Sequence, residues 1–181
     1  MKSRLTGLPP IVSERTVVLI LGSFPGAASL AAKRYYAHPQ NRFWPILQAI
    51  WPECCSAAVL DSYEKRSEWL LSKGLGLWDV YASCERTGSL DSAIRNAKLN
   101  DFASLAQSCP RLAAIAHNGA ASFRHSREVA AALAQTAPDR AREIAFHRLP
   151  STSPANASQS FAAKLAAWRA AFATHGLAEP A

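Results

Sequence analysis

No stretch of the 181 residues is apolar for long enough to cross a bilayer. The first ten residues, Met1 to Pro10, start basic but have neither a continuous apolar core nor a small-residue cleavage site, so no secretory leader is expected. There are four cysteines, Cys54, Cys55, Cys84 and Cys109, and no CxxC pair. Adjacent cysteines rarely bridge each other, and zinc or iron–sulfur sites want paired ligands at short spacing. Free thiols in a reducing, cytoplasmic setting are therefore expected, with no metal and no cofactor. The chain also lacks a GxGxxG and a GxxxxGK[ST] loop. Gly22-Ser23-Phe24-Pro25-Gly26 is not a GxSxG elbow, because its serine follows the first glycine directly. Pro25 also removes a backbone donor from any oxyanion or phosphate nest there, which argues against a nucleophilic serine. No long Lys/Arg block occurs, so any basic patch must be assembled by the fold.

Positive charge is nevertheless abundant. The formal net charge is +7 and the isoelectric point about 9.6. Binding to a polyanion is one reading, since Lys and Arg neutralise phosphates and release counterions. A basic protein without such a partner is the other. The length fits one domain over residues 1–181, with tails at about 1–15 and 175–181 expected to be loosely held.

Strand and helix patterns alternate. Thr16 to Leu21 is a β-branched and leucine run that reads as a buried strand ending at Gly22. Leu75–Tyr81, Arg111–His117 and Ile144–Leu149 read as three more. Between them, Asn41 to Trp51 reads as a helix with Phe43, Ile46, Leu47 and Ile50 on one side and Pro52 closing it. Asp61 or Ser62 starts another helix through Leu71, and Asn100 or Asp101 caps a short one. Gly119 opens an alanine-rich helix to about Gln135, and Phe161, Leu165, Trp168 and Phe172 form one stripe of the last helix. This order predicts a three-layer α/β/α sandwich around a mostly parallel four-stranded sheet. Its active site should lie at the carboxyl ends of the strands, at 22–26, 80–91, 117–119 and 149–156.

Those segments hold the distinctive residues. Tyr35-Tyr36-Ala37-His38-Pro39-Gln40-Asn41-Arg42-Phe43-Trp44 crowds aromatic, amide and basic groups, the mix that a flat polar ring requires. Phe43 and Trp44 read as core, while Asn41 is equally a helix cap or a functional amide. Asn118, before Gly119, is equally a turn residue or a reader of a base edge. Leu149-Pro150-Ser151-Thr152-Ser153-Pro154-Ala155-Asn156 offers short hydroxyls and backbone N–H groups that could hold a phosphate, or is simply a strand-to-helix loop. His38, His125 and His147 show no metal spacing.

In this order, from Val17 to Asn156, these segments resemble the uracil-DNA glycosylase superfamily. Leu21 to Gly26 looks like its first motif, and Leu149 to Asn156 looks like its second. His38-Pro39-Gln40-Asn41-Arg42-Phe43-Trp44 is similar to the Pro-x-Asn-Arg-Phe-Trp run of the mismatch-specific uracil glycosylases. Leu75 to Val80 and Gly88 to Ile94 look like the block between. Two positions depart. Phe24 stands where uracil-cleaving relatives carry a catalytic Asp or Asn, and Leu149 stands where they carry His or Asn. The chain is instead similar to the hypoxanthine-DNA glycosylase branch.

That resemblance implies a monomeric, metal-free enzyme acting on damaged DNA. It would flip a deaminated base out of the duplex and hydrolyse its N-glycosidic bond. Asn41 would be the catalytic amide. Phe24, Asn118, Gly22 and Ser23 would bind the base. Ser151 and Ser153 would grip flanking phosphates, with Ala155 and Asn156 near the gap in the base stack. No lysine occupies a motif position to form a Schiff base, so hydrolysis without strand cutting is expected. The competing expectations are a uracil or G·U mismatch glycosylase and a non-catalytic lesion binder.

Overall fold

The computed structural model describes residues 4–52 and 62–179. The elements in chain order are β1 (Arg4–Thr6), β2 (Val18–Gly22), α1 (Ala27–Ala32), α2 (Phe43–Ile50), α3 (Tyr63–Ser72), β3 (Leu75–Asp79), β4 (Tyr81–Glu85) and β5 (Arg95–Leu99). Then follow α4 (Phe102–Ser108), β6 (Ala114–Asn118), α5 (Ala120–Phe123), α6 (Ser126–Ala134), α7 (Pro138–Glu143), β7 (Ala145–Leu149) and α8 (Phe161–Thr174).

Strands β3, β2, β6 and β7 form a parallel sheet in that spatial order. Every residue of β2 and β3 is buried, as a sheet covered by helices on both faces requires. This is the expected α/β sandwich, and its four strands are the four the hydrophobic runs indicated. The register aligns Gly22 with Asp79, Leu21 with His117 and Asn118 with Leu149. The carboxyl edge thus gathers residues from four distant parts of the chain.

The second expected strand needs correction. Leu75–Tyr81 is not one strand, because the chain leaves the parallel sheet at Val80. Tyr81–Glu85 belongs to a separate antiparallel sheet of order β1-β4-β5. That sheet carried no hydrophobic signal: all five residues of β5 are exposed, so no alternation of apolar and polar positions marks it. The tails also depart from expectation. Arg4 pairs with Glu85, and Ile11 and Leu77 exchange backbone hydrogen bonds of 2.9 and 2.8 Å. At the other end, the Trp51 indole donates to the Leu177 carbonyl at 3.1 Å. The ends that are described are therefore tied to the body.

Helix α2 buries Phe43, Ile46, Leu47 and Ile50 as its pattern indicates, and Trp44 as well. It packs on α8, where Phe43 meets Trp168 edge-on at 5.8 Å. Phe43, Trp168 and Phe172 are each fully buried, each stabilising the core by roughly 2–3 kcal/mol. Ser62 caps α3, accepting from Lys65 N–H at 3.1 Å; Asp61, Cys54 and Cys55 lie outside the described residues. Cys84 and Cys109 are free and buried. Asp101 caps α4 through Ser104 N–H. The single helix expected from Gly119 to Gln135 is two, α5 and α6. The break sets His125 against the Tyr81 hydroxyl at 2.5 Å. In α8 the expected stripe is shorter than its spacing suggests: Phe161 is exposed, and Lys164 is buried because its Nζ donates to the Asn156 carbonyl at 2.7 Å.

Candidate active site

The carboxyl edge of the sheet opens into a cavity of about 150 Å³. Its floor is the end of β2 and β3. Gly22 is glycine for a steric reason: a Cβ there would collide with the Asp79 carboxylate and would lie 3.5 Å from the Tyr36 hydroxyl. The loop that follows, 23–26, forms one wall, and the second sheet fixes it. Ser23 Oγ donates to Asp91 Oδ1 at 2.5 Å, and Ala27 N–H donates to Ser89 Oγ at 2.9 Å. Arg86 Nη2 donates to the Pro25 carbonyl at 2.5 Å, with its guanidinium carbon 5.0 Å from the Phe24 ring centre. Phe24 is thereby sandwiched between cavity and cation, and is itself buried.

The aromatic segment before α2 forms a second wall. Tyr36 stacks on Phe43 at 4.0 Å and holds a left-handed backbone (φ 55°), a conformation that costs a non-glycine residue energy. The Trp44 indole anchors the segment by donating to the Tyr35 carbonyl at 3.2 Å. Asn41 then lines the cavity just ahead of the helix. Its Oδ1 accepts from Phe43 N–H at 2.9 Å. A backbone N–H can bond only to the amide oxygen, so the amide's orientation is settled and its NH₂ remains as a donor. The amide oxygen thus serves the start of α2, and the NH₂ group is not used in that bond.

The third wall is the loop after β7. Asn118 Oδ1 accepts from Thr152 N–H at 2.9 Å, and its Nδ2 donates to Thr152 Oγ1 at 2.9 Å. Gly119, at φ 100°, passes so close to Ser151 that a Cβ would sit 2.9 Å from the serine Cβ. The loop's backbone is less available than its sequence suggests. Ser153 N–H bonds Ser151 Oγ, Ala155 N–H bonds Ser153 Oγ, and Asn156 N–H bonds the Ser153 carbonyl. With Thr152 N–H held by Asn118, these backbone donors are occupied within the protein. What the loop still offers is the hydroxyl protons of Ser151 and Ser153, both on the cavity wall.

Of the residues singled out in the sequence, Gly22, Ser23, Phe24, Asn41, Asn118, Ser151 and Ser153 come together at this cavity. Asn156 lies instead in an adjoining groove with Gln40, Arg42, Ser153, Phe161 and Lys164, while Ala155 is exposed and lines neither. Leu149 is buried and does not line the cavity. His117 is buried beneath it. Its Nδ1–H bonds Ser122 Oγ at 2.7 Å, and that hydroxyl in turn donates to the Leu21 carbonyl. Burial holds His117 down to about 4, so it is neutral. Two acidic residues also line the cavity, Asp79 and Asp91, and neither was assigned a role from the sequence. Asp79 closes a buried apolar run within the Leu75–Val80 block. Asp91 lies within the Gly88–Ile94 block, but its place at the cavity depends on the unanticipated second sheet. Among the described residues no group of three or more His, Cys, Asp or Glu could hold a metal, and no helix is long and apolar enough to cross a membrane.

Parallel strands ending in a small cavity walled by a ring and two amides place a ligand site where open α/β sheets usually carry one. Comparison with known proteins narrows this. The family model for the uracil DNA glycosylase superfamily matches residues 9–173. The chain is 38% identical over 113 residues to a hypoxanthine DNA glycosylase of Methanosarcina barkeri, covering 62% of this chain and 70% of that one. It is 39% identical over 114 residues to the hypoxanthine DNA glycosylase of Methanosarcina acetivorans, with the same shares. The solution structure of a candidate uracil DNA glycosylase from Methanosarcina acetivorans superposes with a TM-score of 0.77 at 31% identity, covering 97% of this chain and 99% of that chain. The chain belongs to the uracil DNA glycosylase superfamily and is a DNA glycosylase.

Proposed function

We propose that this glycosylase removes hypoxanthine from deoxyinosine in damaged DNA, as a one-domain monomer, by hydrolysis of the N-glycosidic bond. The observation that carries the substrate is the pairing of two hypoxanthine glycosylase relatives with the cavity wall itself. Phe24 occupies the wall position where uracil-cleaving relatives are expected to carry Asp or Asn. A phenyl ring stacks on a flipped base but cannot hold a water. Leu149, at the position expected to supply a donor to a leaving uracil oxygen, is apolar and turned away from the cavity. Losing one donor to a developing anion costs on the order of 10²–10³ in rate.

In this reading the Asn41 amide donates to the departing base or orients the attacking water. Phe24 stacks on the ring, and Asn118 presents its amide to the base edge. The Ser151 and Ser153 hydroxyls meet flanking phosphates, and Ala155 and Asn156 lie towards the gap in the stack. Hypoxanthine pairs weakly, so extruding it costs less than extruding a normal base. The test is excision from matched duplexes carrying inosine, xanthine or uracil, with abasic sites revealed by alkali. Inosine should be cleaved fastest. A uracil rate well above the inosine rate would overturn the assignment.

A further inference from the structure

Asp79 has no part in the chemistry just described, yet it closes the cavity floor. It ends β3 opposite Gly22, is 4% exposed, and lines the cavity. Its Oδ2 is buried and makes no hydrogen bond among the described residues. A buried carboxylate oxygen without a partner is a costly place for a charge. The ionisable groups around it do not relieve that cost. Tyr35 and Tyr36 face it from the segment before α2, Tyr63 interacts with it from the start of α3, and Asp91 repels it from the link between β4 and β5. Arg86 acts in the opposite sense, but its one hydrogen bond goes to Pro25. Burial first, and Asp91 next, push the Asp79 carboxyl up to about 8, outweighing Arg86. At neutral pH the group is mostly a neutral acid, and neutral acids donate protons.

We propose that Asp79 is the general acid of the reaction, protonating N7 of the departing purine from its carboxyl group. This rests on the reading of the substrate as hypoxanthine. As the C1′–N9 bond breaks, its electron pair moves into the purine ring, and the Asp79 proton passes to N7. Hypoxanthine then leaves neutral, as its N7–H form. Water adds to C1′, and the proton it sheds returns to the Asp79 carboxylate, so acid and charge balance over one turnover. Uracil offers no free ring nitrogen, because N3 carries a hydrogen and N1 is the glycosidic nitrogen, so only a carbonyl oxygen could take the proton. A carboxyl group aimed at N7 therefore favours a purine as well as accelerating its departure.

The test is single-turnover excision of inosine and of 7-deazainosine across pH 6 to 9.5, by the wild-type protein and Asp79→Asn. Asparagine keeps the size and removes the transferable proton. Proton transfer by a placed acid is worth roughly 10²–10⁴-fold. Asp79→Asn should therefore lose on the order of 10²-fold on inosine. It should also lose the fall in rate that the wild type shows above about 8. On 7-deazainosine, which lacks the acceptor, the two proteins should react alike. His38 also lines the cavity and is common to both proteins. An Asp79→Asn variant with the wild-type inosine rate, or with the wild-type fall above 8, overturns the proposal while leaving the substrate reading intact. A wild-type protein that releases no hypoxanthine overturns both. If the variant does not fold, the Asp79 carboxyl resonance in ¹³C-labelled wild-type protein decides instead. Titration near 8 supports the acid, and titration near 4 overturns it.

Discussion

Asn118 and Thr152 hold each other by two hydrogen bonds, from Thr152 N–H to Asn118 Oδ1 and from Asn118 Nδ2 to Thr152 Oγ1, both 2.9 Å long. The pair fastens the end of β6 to the loop after β7. Arg42 N–H, donating to the Thr152 carbonyl at 2.9 Å, brings in the start of α2. Two walls of the cavity and the end of β6 thus meet at one buried threonine. Asn118 acts first as a brace, and its side chain also interacts with the buried Tyr36 hydroxyl.

A brace of this kind shows in stability as well as in rate. Asn118→Ala leaves Thr152 N–H unpartnered and should cost about 1–3 kcal/mol, a fall of roughly 2–4 °C in Tm per kcal/mol for a chain of this size. Thr152→Val should cost less, because the Thr152 N–H bond survives. The double variant should be less destabilised than the sum by roughly 0.5 kcal/mol or more. Urea unfolding of the four proteins measures this. Asn118→Ala with wild-type stability and no excision would show a base reader that braces nothing.

At Asn41 the structure separates two functions that alanine removes together. Asn41→Asp keeps an oxygen for Phe43 N–H, and a negative charge is favoured at a helix N-terminus, so its Tm should hold or rise. It removes the NH₂ donor, so single-turnover excision should fall on the order of 10²-fold. Asn41→Ala should lose the same activity together with about 1 kcal/mol of stability. Excision by a folded Asn41→Asp at the wild-type rate would remove the donor role.

The groove containing Arg42, Asn156 and Lys164 continues from the cavity past Ser153, and we expect the DNA backbone to follow it beyond the two serines. Duplex affinity should fall with salt at a log–log slope of roughly −3 to −5, corresponding to about three to six phosphate contacts. Arg42→Ala should weaken binding to damaged and undamaged duplex alike and reduce the slope by about 1. Fluorescence anisotropy over a salt series reads both. An unchanged slope would take this groove out of the DNA path.

The parallel sheet was legible because its inner strands and β3 are buried and largely apolar, and Leu19, Ile20, Leu77 and Ile115 carry that signal without reference to anything distant, while the edge strand β7 is only partly buried. Gly22, Ser23, Phe24, Asn118, Ser151 and Ser153 meet because strand ends converge in such a sheet whatever the loops do, whereas Asn41 reaches the cavity on the segment before α2. The antiparallel sheet was not legible, since Arg95, Asn96, Lys98 and their neighbours are polar and exposed, and their strand exists only through pairing with Tyr81–Glu85. Asp91 was hidden with it. Asp79 was in plain view, but its significance lies in what surrounds the carboxyl, which no spacing reveals. The occupied N–H groups of Ser153 and Ala155 were likewise invisible, because serine side chains choose their partners only once the loop has closed.

Val80 is the single residue between the two sheets, and both its backbone groups are engaged: its N–H donates to the Gly22 carbonyl at 2.9 Å and its carbonyl accepts from Asn100 N–H at 3.0 Å. The chain has no slack there. One inserted residue would turn every side chain of Tyr81–Glu85 to the opposite face and carry Arg86, Ser89 and Asp91 away from the loop they hold. Thr87, Gly88 and Ser89, by contrast, are exposed at the turn beyond. Natural length variation, and any label or linker an experimenter wishes to splice in, belongs at an exposed turn such as 135–136 and not at this joint.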